Sequence, residues 1–474
     1  MRKNIILSTI ITAALAGCTN NAGDAKTSED CERIDCPTCV CKCEETPEIV
    51  PSSIDIVEKT LKIPYGSVID EIQYNAILTY NDGSQKLLTK DEYTLTFEKN
   101  ATFSVGQGKA ILTYAKNKEI KKEINFEVTP RTTASILFIG NSFSDDTIEY
   151  MHNIATTLGI SLKINNLFIG SCTIDVHYNN LLNDSASYEY RSWDGTKWVT
   201  TNNYKISTAL KQENWDFVSL QQGSGSSGLY STYSRINDCL NLIKKDLLNA
   251  NHTQFIWNMT WAYQQNSTHG EFANYNNDQM TMYNSIVSCV KKLDRDIFKV
   301  IIPSGTAIQN ARTSYLGDTL TRDGFHLNTG TGRYIAALNA IKAITGITYN
   351  DVPFSPSLDN LSKAICFESV SNAWLNPYEV TQSAHRQETQ EEMAEMVKNM
   401  TQISVTYNRG FYYYSISPSD KTTPLGPNTT FVCTNIFDKN DIPNGSIIRI
   451  APGYRYRPEG EIFSSGWRPR NPGH

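Results

Sequence analysis

This chain of 474 residues has no excess of positive charge and few long apolar runs. Lys and Arg number 43 against 49 Asp and Glu, a net charge of −6. A nucleic-acid partner is held largely by Lys and Arg against phosphate, so this balance argues against one. The apolar run at residues 5–15 holds about eleven residues, whereas a membrane-spanning helix needs about twenty.

That short apolar run follows Arg2 and Lys3 and ends in Ala16-Gly17-Cys18, which is typical of a secretion signal. It resembles a bacterial lipoprotein signal, although an ordinary signal peptide with a chance cysteine is the alternative. The resemblance implies a signal peptide at residues 1–17, lipidation of Cys18 and anchoring in the cell envelope. Thr19, rather than aspartate, follows the cysteine, and in lipoproteins of two-membrane bacteria this implies sorting to the outer membrane.

Residues 18–50 are polar and acidic and are predicted to be a tether. Five cysteines in it admit half a zinc site or, in an exported protein, disulfides, which we favour: Cys31, Cys36, Cys39, Cys41 and Cys43. The cysteines beyond the tether lie in mostly apolar surroundings and are predicted to be buried free thiols: Cys172, Cys239, Cys289, Cys366 and Cys433.

Short alternating segments fill residues 51–130, and Asn81-Asp82-Gly83 is a strong hairpin signal. We predict a small β-sandwich, which resembles bacterial immunoglobulin-like modules. Residues 381–474 begin with a charged helix at 387–400 and continue as short strands, which predicts a small C-terminal β module.

Residues 131–380 alternate strands with helices, which predicts a doubly wound α/β domain with a parallel sheet. The strands are predicted at residues 135–139, 162–169, 217–220, 254–257 and 298–302, and the helices at 146–158, 233–248 and 277–293. Residues 188–199 read as an inserted hairpin that could cover a site at the sheet edge.

Gly140-Asn141-Ser142 directly follows the first of these strands, where open α/β sheets place reactive groups. Taken alone, Ser142 could be a helix cap, and Asp145 and Asp146 are further capping candidates. Far along the chain, Asp323 and His326 lie three apart on a turn. This spacing allows the carboxylate to hold imidazole Nδ1–H while Nε2 faces the serine.

These segments, together with Gly170, stand in the order of the SGNH hydrolase superfamily, also called GDSL-like esterases, with Asn141 in place of the family's aspartate. The resemblance covers residues 131–380 and implies a flavodoxin-like three-layer αβα fold. It implies Ser142, Asp323 and His326 as catalytic residues and an oxyanion hole at the N–H groups of Ser142 and Gly170.

The family's third oxyanion donor, an asparagine in Gly-x-Asn-Asp, is missing from the stretch after the third strand. We assign its role to Gln222, with Gln221 and Ser226 as alternatives. Trp257 and Trp261 end the fourth strand and are predicted to line the substrate, although packing in the core is equally compatible with their positions.

The sequence thus predicts a lipid-anchored serine esterase that removes O-acyl groups, in the first place O-acetyl, from extracellular carbohydrate. The chemistry needs no metal and no organic cofactor. The expected partners are an acylated carbohydrate and, through Cys18, a membrane. Two alternatives remain: a non-catalytic carbohydrate-binding protein on the same scaffold, and an O-acyltransferase that passes the acyl group to a sugar hydroxyl.

Overall fold

The computed structural model describes residues 47–349 and 351–386, together with the backbone of Tyr407–Arg409 and Val432–Thr434. The predicted signal peptide, Cys18, the five tether cysteines and the charged helix at 387–400 lie outside the described residues. Of the C-terminal module, the description is limited to an antiparallel pairing of Tyr407–Arg409 with Val432–Thr434. No helix in the described ranges is long and apolar enough to cross a bilayer.

The N-terminal part forms two facing β-sheets around a shared apolar core that includes Ile63, Leu78 and Leu112. One sheet has the order β1-β3-β4 and the other β2-β7-β6-β5. This is the predicted β-sandwich, while its likeness to immunoglobulin-like modules stays a prediction. Its strands are β1 Pro51–Ile56, β2 Leu61–Pro64, β3 Ala76–Tyr80, β4 Gln85–Leu87, β5 Tyr93–Phe97, β6 Gly106–Tyr114 and β7 Lys121–Thr129.

A seven-stranded sheet of order β11-β10-β9-β8-β12-β13-β14 forms the centre of the second domain. Five neighbouring strands run parallel: β9, β8, β12, β13 and β14. At one edge β10 pairs antiparallel with β9, and β11 pairs antiparallel with β10. The strands are β8 Thr133–Gly140, β9 Ser161–Phe168, β10 Tyr188–Trp193, β11 Trp198–Tyr204, β12 Phe217–Leu220, β13 Gln254–Asn258 and β14 Phe298–Ile302.

Helices pack against this sheet, and the predicted doubly wound α/β fold is confirmed. The helix predicted at residues 146–158 is two helices, interrupted at Glu149 and Tyr150. The helices are α1 Ser142–Ile148, α2 Met151–Thr157, α3 Ile174–Leu182, α4 Ile206–Leu210, α5 Ile236–Asp246, α6 Gln279–Lys291, α7 Ser304–Arg312, α8 Thr331–Thr345 and α9 Asn360–Leu375.

The parallel strands end at one edge of the sheet. Strand β8 is buried from Ile136 to Gly140, because helices cover both faces, and β12 is buried along its whole length. Gly140, Leu220 and Asn258 are therefore neighbouring strand ends, and the loops that follow them meet there. Of the predicted free thiols, Cys172, Cys239, Cys289 and Cys366 are unpaired and buried.

The hairpin of β10 and β11 does not cover this edge, so that expectation was wrong. Strand β10 runs antiparallel to β9, with Glu189 opposite Phe168 and Ser192 opposite Asn165. Its turn at residues 194–197 therefore points toward the amino ends of the parallel strands, away from Ser142. Alternation along residues 188–199 predicted two strands correctly but contained no information about their direction in the sheet.

Candidate active site

A tight turn joins β8 to α1 and presents Ser142. A side chain at Gly140 would place Cβ 2.7 Å from Ser144 Oγ and 3.0 Å from Gln221 Cδ, so glycine is required by lack of space. Asn141 caps the helix, since its Oδ1 accepts a hydrogen bond from Phe143 N at 2.9 Å. Ser142, half-buried, is thus not the cap, and its hydroxyl is available for other bonds.

A series of buried, hydrogen-bonded polar side chains holds this turn in place. Gln221 Nε2 donates to Asn141 Oδ1 at 2.7 Å, and Asn258 Nδ2 donates to Gln221 Oε1 at 3.1 Å. Ser304 Oγ donates to Asn258 Oδ1 at 3.0 Å. The strand ends of β8, β12 and β13 are therefore joined by polar side chains, which costs little because each is hydrogen-bonded. Asn258 was not anticipated from the sequence.

The loop that carries His326 is a short turn closed by a bridge between Thr321 and Leu327. Gly324 adopts φ +94°, a conformation that side chains disfavour. Asp323 Oδ1 accepts from the backbone N–H of His326 at 2.8 Å and of Phe325 at 3.2 Å. The carboxylate thus stabilises the turn on which the imidazole sits.

Ser142, His326 and Asp323 form one hydrogen-bonded line. Ser142 Oγ lies 2.8 Å from His326 Nε2, and His326 Nδ1 lies 2.6 Å from Asp323 Oδ2. An Nδ1–H that donates to the carboxylate leaves Nε2 as the acceptor for the serine proton. Partial burial alone would raise the pKa of Asp323, but bonds from the His326 side chain and from two N–H groups outweigh it and lower that pKa.

Asp146, which the sequence suggested as a capping residue, instead holds the histidine loop. Its carboxylate is 1% exposed and accepts from Leu327 N at 2.7 Å, Arg322 Nη1 at 2.9 Å and Arg333 Nη2 at 2.8 Å. Burial raises the pKa of Asp146, and the two arginines and the Leu327 N–H offset part of that rise. Helix α1 thus carries both Ser142 and the anchor of its partner loop.

Backbone N–H groups are the donors left for an oxyanion. Within the described residues, neither the Ser142 N–H nor the Gly170 N–H has a protein acceptor. Gly170 is exposed, and a Cβ there would meet nothing within 4 Å. The loop after Gly170 is fixed by Asn141 Nδ2, which donates to Cys172 O at 3.0 Å.

Gln222 is not placed to serve as the third donor, which corrects the assignment made from the sequence. Its Nε2 donates to Thr232 O at 2.9 Å and Thr232 Oγ1 at 3.0 Å, and its Oε1 accepts from Ile174 N. Both N–H bonds are therefore used inside the protein. The Gln221 amide bonds to Asn141 and Asn258, as described above. Ser226 stays an untested alternative.

The two tryptophans do not line a substrate surface either, because both are buried. Trp257 is 1% exposed and packs between Tyr233 and Phe298. Trp261 is fully buried, stacks on Phe143 at 4.2 Å and donates from Nε1 to Phe325 O at 2.8 Å. Trp261 therefore links the residue after the serine to the residue before the histidine.

Replacing Trp261 by Phe is expected to lower kcat about 10-fold with little change in KM, because Phe325 O loses its donor and the histidine loop its restraint. Trp257→Phe is the matched control, since it removes the same indole from the core without touching either catalytic loop. Stopped assays on both purified variants would measure this. Equal kcat values for the two variants would contradict the assigned role of Trp261.

The half-buried Phe325 ring packs on the imidazole, and the half-buried His269 and the buried Tyr263 pack on Phe325 in turn. The Phe325 ring centroid lies 4.0 Å from that of His326, 4.6 Å from His269 and 5.6 Å from Tyr263. The Tyr263 hydroxyl contacts Ser224 Oγ at 2.9 Å. The rings beside His326 are therefore Phe325 and, at 6.0 Å, Phe143, rather than the two tryptophans.

The fold and site together define an α/β protein with a serine, a histidine and an aspartate hydrogen-bonded at the carboxyl edge of a parallel sheet. Residues 135–369 match the family DUF4886, described as a domain of unknown function. A DUF4886 family protein from Bacteroides uniformis is 40% identical, with 54% of this chain and 100% of that chain covered and a TM-score of 0.51. The chain belongs to the DUF4886 family.

More distant solved structures are also similar. A candidate SGNH hydrolase from Slackia heliotrinireducens is 17% identical over 44% of this chain and 98% of its own, with a TM-score of 0.30. An acetylxylan esterase from Geobacillus stearothermophilus is 14% identical over 46% of this chain and 96% of its own, with a TM-score of 0.28. No curated protein matches the chain.

Proposed function

We propose that this protein is a serine esterase that removes O-acyl groups, in the first place O-acetyl, from carbohydrate. The observation that carries the proposal is the hydrogen-bonded line from Ser142 Oγ through His326 to Asp323. A serine hydroxyl bonded to an imidazole, itself oriented by a carboxylate, is the arrangement that activates serine as a nucleophile.

In the proposed reaction Ser142 Oγ attacks the ester carbonyl carbon while its proton passes to His326 Nε2. Asp323 holds Nδ1–H and stabilises the imidazolium that forms. The tetrahedral intermediate places its negative oxygen against the N–H groups of Ser142 and Gly170. The alcohol then leaves with the proton from Nε2. Water attacks the acyl-serine while its proton passes to Nε2, and Ser142 Oγ leaves with that proton as the carboxylic acid is released.

The choice of carbohydrate as the acyl carrier is supported by the resemblance of the Ser142, Gly170 and Asp323-x-x-His326 motifs to SGNH hydrolases. Anchoring through Cys18 and a location in the cell envelope are likewise proposals, supported by the N-terminal sequence. An enzyme tethered there would act on ester groups outside the cell, where acylated polysaccharides are accessible to it.

Fluorophosphonate labelling followed by peptide mass spectrometry tests the nucleophile, because the probe modifies activated serines. We expect labelling at Ser142 and none at Ser144, two residues away, whose Oγ is buried and bonds to Asn141 O at 2.7 Å. Heat-denatured protein is the control. If the folded protein is not labelled, the proposal is overturned and the protein is a non-catalytic scaffold.

Acetate release from acetylated xylan and from 4-nitrophenyl acetate tests the reaction class. The native protein should release acetate from both, and Ser142→Ala should release none above background. If added acceptor sugar collects the acyl group in preference to water, the protein is a transferase. Turnover unchanged in Ser142→Ala would exclude Ser142 as the nucleophile.

A further inference from the structure

A cavity of about 760 Å³ lies where α2, the start of β9 and the β10–β11 turn meet. Its lining includes His152, Thr156, Lys163, Asn165 and Trp193. Asn165 pairs with Leu137 and Ser161 with Thr133, so the β9 residues of the cavity lie three to seven steps before the Gly140 position. At about 3.3 Å per residue this is roughly 10–23 Å away along the strand, toward the opposite edge from Ser142.

Two buried polar atoms in this lining lack a partner. His152 is 8% exposed and Asn165 is 4% exposed. Within the described part of the chain, His152 Nε2 and Asn165 Oδ1 make no hydrogen bond. A buried polar atom without a partner costs free energy, so a hydrogen-bonding ligand in this cavity would gain by supplying the missing partners. Burial lowers the pKa of His152 to about 4, so its imidazole is uncharged at neutral pH.

The charges around the cavity are already paired. Lys163 Nζ lies 2.5 Å from Glu213 Oε2, and Asp194 Oδ1 accepts from the N–H groups of Thr196 and Lys197 in its own turn. A charged ligand would compete with these partners. A neutral ligand with several hydroxyl groups would not, and it could satisfy the amide and the imidazole.

An aromatic platform forms one wall. The half-buried Trp193 ring stacks on His152 at 4.7 Å and meets Trp198 edge-on at 5.5 Å. An indole that is fixed by two neighbouring rings offers a rigid apolar surface, which suits the C–H faces of a sugar ring. The volume falls within the range of about 300–1,000 Å³ usual for small-ligand sites.

We propose that this cavity is a second carbohydrate-binding site, which takes neutral sugar units of a polysaccharide chain through Trp193, His152 and Asn165. The proposal rests on the proposed function for the class of ligand, but not for the site itself. Its effect would be to hold a polymer on the enzyme while ester groups elsewhere on that polymer, or on neighbouring chains, reach Ser142.

Calorimetry on the full chain carrying Ser142→Ala separates binding from turnover. The probes are xylohexaose, cellohexaose and mannohexaose as neutral ligands and a polygalacturonate hexamer as the charged comparison. We expect a neutral hexasaccharide to bind and Trp193→Ala to weaken it at least 10-fold. Because Trp193→Ala removes ring packing, Thr156→Trp is the second variant: Thr156 is exposed on α2, and the larger side chain should fill the cavity with the same loss of binding.

Tyr315→Ala is the matched control, since Tyr315 is an aromatic side chain 63% exposed and does not line the cavity. It should bind as the Ser142→Ala parent does. No binding of any neutral hexasaccharide, preference for the charged one, or unchanged binding in Thr156→Trp would each overturn the proposal. In the background with Ser142 intact, both cavity variants should hydrolyse 4-nitrophenyl acetate normally. Failure of the native protein to hydrolyse esters would refute the proposed function without altering the binding result.

Discussion

His326→Ala is expected to lower kcat roughly 10⁶-fold, because a serine without its base is not activated. His326 Nε2 lies 2.8 Å from Ser142 Oγ, so the imidazole takes the serine proton directly and not through another base. Burst and steady-state assays with 4-nitrophenyl acetate measure the effect. The stability of the fold should change little, since the half-buried imidazole bonds to Ser142 and Asp323 and, in the part of the chain that the structure describes, packs on only two rings, Phe325 and Phe143.

The chain supplies a matched control for this variant in His269. Its imidazole also lies against Phe325, and its Nδ1 accepts from Glu271 N at 3.3 Å rather than facing Ser142. His269→Ala should retain kcat within about 10-fold. Comparable losses in the two variants would mean that packing around Phe325, not general base catalysis, accounts for the effect of His326.

Asp323→Asn tests the third member of the line, with an expected loss of roughly 10⁴-fold in kcat. An amide nitrogen toward Nδ1 would favour the tautomer that carries its proton on Nε2, where it cannot accept from serine. The amide oxygen can still accept from the N–H groups of Phe325 and His326, so the turn should persist. A loss as large as that of His326→Ala, together with altered circular dichroism, would show instead that the turn had collapsed.

The second large effect is expected from Asp146→Ala, which should lower the free energy of unfolding by about 3–5 kcal/mol. The substitution leaves the largely buried Arg333, the Leu327 N–H and the partly exposed Arg322 without their shared acceptor. An ion pair of this kind stabilises little overall, since burial opposes the charge, but removing one partner is costly. Urea unfolding followed by tryptophan fluorescence gives the value.

Catalysis should suffer in the same variant beyond the loss of stability. The loop from Arg322 to Leu327 would lose its tie to α1, and a displacement of about 1 Å costs on the order of 10²-fold in rate. Asp145→Ala is the control: Asp145 neighbours Asp146 on α1 but pairs with Arg191, away from the loop. It should cost less than Asp146→Ala, because Arg191 keeps Glu189 as a partner, and should leave kcat unchanged. Equal effects of the two substitutions would refute the anchoring role of Asp146.

The strands of the sheet could be predicted from the sequence because parallel strands are buried on both faces and appear as continuous apolar runs. Residues 217–220 and 298–302 coincide with β12 and β14 as observed. That Ser142, Asp323 and His326 could meet was predictable for a related reason. Each lies in a local motif, a glycine turn after a strand or an acid three residues before a histidine, and local geometry largely determines where such side chains point.

The rest depends on partners that are distant in sequence. Gln222 follows a strand as expected, but Thr232 and Ile174 take up its amide. Trp261 finds its acceptor 64 residues away, at Phe325. Asp146 looks like a first-turn acid, and its role emerges only when Arg322, 176 residues later, is folded against it. No spacing rule contains such pairs.

The position of Asp323 on the same turn as His326 has a consequence for how the protein can vary. In many catalytic sites base and orienting acid come from separate elements, so that a shift of either changes the protonation pattern of the imidazole. Here the two move together, and Asp146 and Trp261 hold the turn that carries both. A displacement of residues 322–327 should therefore preserve the tautomer while altering only the approach of Nε2 to the serine.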